Sequence, residues 1–192
     1  MICESQFERQ LRRVNISDYH TGSHMPAKGK AKGNQGELKI AKFLTETFGA
    51  KFMRVPNSGA YVGGTNAHRK LLMDATQVNY FKSDIIPPSH MHKLVIESKF
   101  YKAFPFDKLA GNDRIPQLEG WIKQTLATVD PDDMWFLVVR INHKGVWACF
   151  DAKWLPQLNV GNHVRHFEYV WCEFENLFKV NKDQILKVTA TS

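Results

Sequence analysis

Apolar positions along the chain fall into helical spacing in two stretches and into short strand-like runs elsewhere. Ile40, Ala41, Leu44 and Phe48 recur three or four residues apart, which predicts a helix with one inward face. Asn34 stands where an N-cap belongs, Glu37 three residues later completes a possible capping box, and Gly49 marks the end. Residues 50–56 read as a short strand, residues 57–80 as loop with at most a turn or two of helix at 70–75, and residues 82–86 as a strand stopped by Pro87-Pro88. His92 to Tyr101 is an apolar strand with a polar interruption. Ile115, Leu118, Trp121, Ile122 and Leu126 predict a second helix over 115–128. Met134 to Asn142 is apolar on both faces, as a central strand is, and a turn at His143-Lys144-Gly145 leads into another strand at 146–151. Beyond Ala152 the pattern weakens to a turn of helix, a strand near 167–172 and a last short element. The order helix, three strands, helix, strand (αβββαβ), then a further strand, fits neither a doubly wound sheet nor a sandwich. It predicts an α/β fold with a central mixed β-sheet flanked by helices.

Composition sets limits on this picture. The chain has 192 residues, the size of one domain, and 43% hydrophobic residues can build a substantial core. Lys and Arg number 26 against 19 acidic residues, a net charge of +7 that suits an anionic partner such as nucleic acid. Three widely spaced cysteines form no disulfide framework, and neither a membrane-length apolar run nor a secretion signal is present, so an intracellular, cytoplasmic location is expected. Gly22-Ser23-His24-Met25 matches the scar left by a common expression vector, so the natural start is expected at Met25. Residues 1–33 then comprise a vector-derived leader, or a natural N-terminal extension, and a flexible basic arm in which Lys28, Lys30 and Lys32 alternate with small residues. Whether that arm tracks phosphates or only aids solubility is open. Residues 34–192 are expected to be one domain, with a core at about 34–151 and an extension at 152–192.

The chemistry concentrates near the strand 92–101. Alternation places Val95, Glu97 and Lys99 on one face. Such a triplet alone is compatible with a plain ion pair. Asp84 changes that, because two antiparallel strands joined by a short loop would set it beside Glu97, and like charges so close are tolerated when they share a cation. Two hard oxygen ligands and a neighbouring lysine suit Mg²⁺, with Mn²⁺ able to substitute, and the lysine can orient an attacking water. Glu37 adds a third inward carboxylate, serving as cap partner, ligand or both.

Met53 to Gly59, Ser83-Asp84-Ile85-Ile86-Pro87 and Leu94-Val95-Ile96-Glu97-Ser98-Lys99 resemble the sequence blocks of archaeal-type Holliday junction resolvases, within the PD-(D/E)xK (restriction-endonuclease-like) nucleases. The resemblance spans about Gly33 to Asn142. It implies a restriction-endonuclease-like core, metal ligation by Asp84 and Glu97, and a water-positioning role for Lys99. It further implies an accessory role for Glu37, a place for Ser58 near the scissile phosphate and a DNA-backbone contact by Arg54. A resolvase of this kind acts on branched DNA as a two-fold homodimer, and the aromatic stretch 167–178 is expected to supply the interface. Two departures stand out: serine rather than proline precedes Asp84, and residues 61–82 form a longer connection, where Arg69 and Lys70 could contact DNA. Gln117 and Gln124 lie on the helix bordering the site, with Gln117 the candidate for DNA contact. His163 and His166 near Cys172 lack the further ligand pair of a zinc site. A duplex- or end-acting nuclease and a non-catalytic DNA binder are the alternatives.

Overall fold

The computed structural model describes residues 28–55 and 82–190, with side chains from residue 33 onward. Ser58, Arg69, Lys70, the rest of the 61–81 connection and residues 1–27 lie outside the described residues, as do the side chains of Lys28, Lys30 and Lys32. The elements are α1 (Lys28–Phe48), β1 (Met53–Arg54), β2 (Ile85–Ile86), β3 (Leu94–Tyr101), α2 (Phe106–Ala110), α3 (Pro116–Leu126), β4 (Met134–Ile141), β5 (Gly145–Asp151), β6 (His163–His166), β7 (Tyr169–Glu173), α4 (Phe174–Val180) and α5 (Lys182–Thr189). Among the described residues no helix is long and apolar enough to cross a membrane.

The strands form one sheet in the order β1-β2-β3-β4-β5-β7-β6. β3 and β4 run parallel and every other neighbouring pair is antiparallel. A parallel pair needs a crossover, and the segment carrying α2 and α3 provides it. β4 is buried along nearly its whole length because the sheet is covered on both faces. One face packs Leu94, Ile96, Phe136 and Phe150 against Ile40 and Leu44 of α1 and against α4 and α5. The other packs Val95, Trp135, Leu137 and Val139 against Leu118 and Ile122 of α3. This is the expected mixed sheet between helices, an α/β architecture of the restriction-endonuclease-like kind.

Three expectations need correction. Residues 28–33 belong to α1 and not to a flexible arm. Once Ile40, Ala41 and Leu44 are packed, each residue added to the helix N-terminus gains a hydrogen bond without a new nucleation cost, and Lys and Ala are good helix formers. Asn34 therefore caps nothing; its side-chain oxygen accepts a 2.7 Å hydrogen bond from Arg54. The stretch 167–178 is no free interface either, since Trp171, Phe174 and Phe178 are core residues and only Phe167 among its large apolar groups is well exposed. Two elements went unforeseen, the short helix α2 and the edge strand β6. At the other helix end Gly49 behaves as expected: it takes φ +66°, and its N–H donates to Thr45 O at 2.9 Å.

Candidate active site

The site is assembled where β2 meets β3. Ile85 pairs with Ile96 in antiparallel register, so the next step outward sets residue 84 against residue 97. Two features hold the bend that carries Asp84. The Ser83 hydroxyl donates to Ile85 O at 2.8 Å, and Val55 N–H donates to Asp84 O at 2.9 Å. The Asp84 carboxylate in turn accepts the Ser98 N–H at 2.9 Å, which fixes it against β3.

Asp84 and Glu97 are 6% and 7% exposed, so both carboxylates are withdrawn from water. Glu97 lies on the face of β3 that meets α3. Its Oε1 accepts hydrogen bonds from Lys99 Nζ at 2.6 Å and from Gln124 Nε2 at 3.2 Å. Burial, and next the charge of Asp84, push the Glu97 pKa up to about 7, although Lys99 pulls the other way. Burial thus disfavours the charged form of Glu97 first, and the neighbouring Asp84 adds to it.

Glu37 reaches toward the same place from α1, and Arg54 of β1 donates a hydrogen bond from its Nε to the Glu37 carboxylate. Burial raises the Glu37 pKa; the Arg54 hydrogen bond opposes this, Asp84 adds to it, and Lys99 lowers it. Glu37 thus belongs to the same electrostatic cluster. Arg54, expected to contact DNA, has its guanidinium engaged by Glu37 and Asn34. The structure therefore gathers Glu37, Arg54, Asp84, Glu97 and Lys99, all named from sequence. Among the described residues no three His, Cys, Asp or Glu side chains group as a complete metal cage. Two carboxylates suffice for Mg²⁺, which keeps several waters and is completed by substrate oxygens. The donors fit such an ion: two buried carboxylates side by side, offering hard oxygens.

Gln124 is the residue that the sequence reading passed over in favour of Gln117. The two lie about two helical turns apart on α3, and Gln124 is the one that touches Glu97. The spacing from a face shared with Ile122 and Leu118 was the available signal, but it does not say which glutamine is level with residue 97. Lys82 was missed as well. Its Nζ, 3.0 Å from Asp133 Oδ2 and bonded also to Asp130, ties the segment before Asp84 to the loop between α3 and β4. On the far side of the sheet, β6 and β7 pair His163 with Cys172, but the His163 Nδ1 lies 2.9 Å from Gly161 O and no metal cage forms there among the described residues.

A family model described as "Phage putative PDDEXK endonuclease" matches residues 28–187. The match runs into α5, well past Asn142, where the resemblance to the resolvases ends. No curated protein and no solved structure matches the chain. With the match covering most of its length, the chain belongs to this PD-(D/E)xK endonuclease family.

Proposed function

We propose that the protein is a divalent-metal-dependent DNA endonuclease that hydrolyses phosphodiester bonds, with four-way branched junctions as its preferred substrate. The observation that carries the metal-dependent chemistry is the buried Asp84–Glu97 pair with Lys99 Nζ 2.6 Å from Glu97 Oε1; burial, and next Asp84, push the Glu97 pKa up to about 7. Asp84 and Glu97 would hold Mg²⁺, with Mn²⁺ able to replace it. A bound ion of this kind supplies Lewis-acid stabilisation of the charge that develops on the phosphate and the leaving oxygen. Lys99 orients the attacking water and faces the negative charge of the phosphate. Gln124 fixes the Glu97 carboxylate. Glu37, held by Arg54, adds negative potential beside the ligands and can bind an outer water of the ion. Ser58 is assigned to the scissile phosphate on the sequence resemblance, while Lys28, Lys30, Lys32, Arg69 and Lys70 are assigned to DNA contact on their charge and Gln117 on its place in α3.

The junction preference rests on the same resemblance of the blocks at 53–59, 83–87 and 94–99, and with it comes a two-fold dimer that sets two sites across one junction. Labelled four-way junction and linear duplex of matched sequence, each with Mg²⁺ and with chelator, test both parts. Paired cuts near the branch that require Mg²⁺ are expected, with the linear duplex cut far more slowly. Equal cutting of both would remove the junction preference and leave a duplex nuclease. Binding without cutting under any divalent ion would leave a DNA-binding protein. Light scattering that gives only the monomer mass while paired cutting persists would remove the dimer.

A further inference from the structure

A second recess lies along α1, on the side away from Arg54. Gly36, Lys39, Ile40 and Phe43 turn toward the ends of β4 and β5 and the start of α4, and between these elements opens a cleft of about 440 Å³. That volume is in the range of sites for small organic ligands. Phe43 and Val146 offer partly exposed apolar surface to the cleft, backed by the buried Ile40 and Phe174, with the Phe43 and Phe174 rings 5.0 Å apart and Lys179 Nζ 5.4 Å from the centre of the Phe43 ring. The space reaches the helix backbone itself: Gly36 is buried, yet a Cβ placed on it would meet nothing within 4 Å.

The rim is cationic. Lys39 and Arg140 bring two positive charges to the lining, beside His143 and against the single carboxylate of Glu175. Arg140 lies 5.9 Å from the centre of the Phe100 ring, and neither it nor Lys39 is paired with a carboxylate among the described residues. Arg140 also sits close to the chemistry. Val139 is the register partner of Lys99 and Arg140 that of Phe100, so the two basic residues stand on adjacent strands at the same end of the sheet, on opposite faces.

We propose that this cleft takes one unpaired nucleotide of the DNA substrate, its phosphate against Arg140 and Lys39 and its base on the apolar floor. The proposal rests on the nuclease reading of the Asp84–Glu97 site. An intact duplex presents phosphates but keeps its bases stacked inside, so it has nothing to place on such a floor. An unpaired nucleotide offers both an anion and a flat ring, and base stacking on apolar and aromatic side chains is tolerant of sequence. A branch point, where pairing is most easily lost, supplies such a nucleotide.

The test uses the full chain in chelator, where no cutting interferes, and fluorescence anisotropy with a short oligothymidylate and with a blunt duplex. Gly36→Leu fills the cleft without changing charge and replaces a helical glycine by a better helix former. Arg140→Gln removes the cation and leaves the floor. Each should weaken oligothymidylate binding about tenfold while duplex binding changes less than about threefold. Unchanged oligothymidylate affinity in Gly36→Leu, an equal loss on both DNAs, or no binding of oligothymidylate by the wild type would overturn the proposal. Should Gly36→Leu fail a thermal-melting check, Val146→Trp fills the same space from β5. Wild-type cutting with Mg²⁺ is scored in parallel. A selective loss in the variants alongside an inactive wild type would count against the nuclease reading and not against the cleft.

Discussion

Lys82 and Lys99 are both held by buried carboxylates, and the charge settles differently around each. Lys82 Nζ is bonded to Asp133 and Asp130, and Asp133 also accepts the Asp130 N–H at 2.8 Å. Burial works against a charged lysine there, yet the two aspartates outweigh it and raise the Lys82 pKa. The positive charge is secured and the cluster serves as a staple. Lys99 meets Glu97 at 2.6 Å, but there it is the carboxyl groups that move: burial first and Asp84 second raise Glu97, and burial also raises Glu37. The same residue types thus build an anchor in one place and, in the other, a buried carboxylate pair whose charged form burial disfavours.

Substitutions at the two lysines should separate these roles most sharply. Lys82→Met strands the buried Asp133, which should cost about 3–5 kcal/mol in denaturant unfolding. Lys99→Ala should leave stability nearly intact, because Glu97 can keep a proton, yet lower cutting by about a hundredfold or more while divalent-ion affinity by calorimetry is retained. If Lys82→Met unfolds no more easily than wild type, the staple is misread. Should Lys99→Ala lose the ion as well, its place is on the ligand and not on the water.

A pH series addresses the acidic half of the comparison. Folded and metal-free, Glu97 releases its proton near pH 7, against 4.5 for an ordinary glutamate. The folded state therefore holds the extra proton inside that window, and stability should fall as pH rises from 4.5 to 7, by on the order of 3 kcal/mol. Glu97→Gln should flatten the slope and be the more stable protein above pH 7. Mg²⁺ should raise the melting temperature of the wild type above pH 7 and do little near pH 4.5. A wild-type melting profile that is flat across the window would place Glu97 in an ordinary environment. The smallest effect belongs to Gln124→Leu. Losing its hydrogen bond to the ionised Glu97 should raise that pKa further and shift the rising limb of the pH–rate profile to higher pH, with a loss of tenfold or less at the plateau. An unshifted limb would show that Gln124 does not act through Glu97.

Much of the candidate site was legible because its signals are local. An apolar run with period-two alternation made β3 readable, the double proline ended β2, and the short loop between them implied the antiparallel pairing that sets Asp84 beside Glu97. The Lys82 staple joins residues about fifty positions apart and leaves no local trace. β6 buries only His166 among its four residues, so it carries no alternation to detect. Phe174, Leu177 and Phe178 do fall at helical spacing, and that signal argued for the core helix α4 rather than for an interface. The basic segment at 28–33 misled because its composition suits a solvated tail, whereas its helix is extended from a packed neighbour. Gln124 needed the height of α3 against β3, which only the folded crossover defines.

The most direct measurement is DNA cutting and DNA binding by Asp84→Asn, checked to be folded, beside the wild type with Mg²⁺. The substitution keeps shape and basic surface and removes charge that the cation needs. Cutting should fall by orders of magnitude, while DNA affinity holds or rises because repulsion from the phosphate is relieved. Cutting at the wild-type rate by Asp84→Asn would contradict the account, since the buried Asp84–Glu97 pair would then not be where the chemistry occurs.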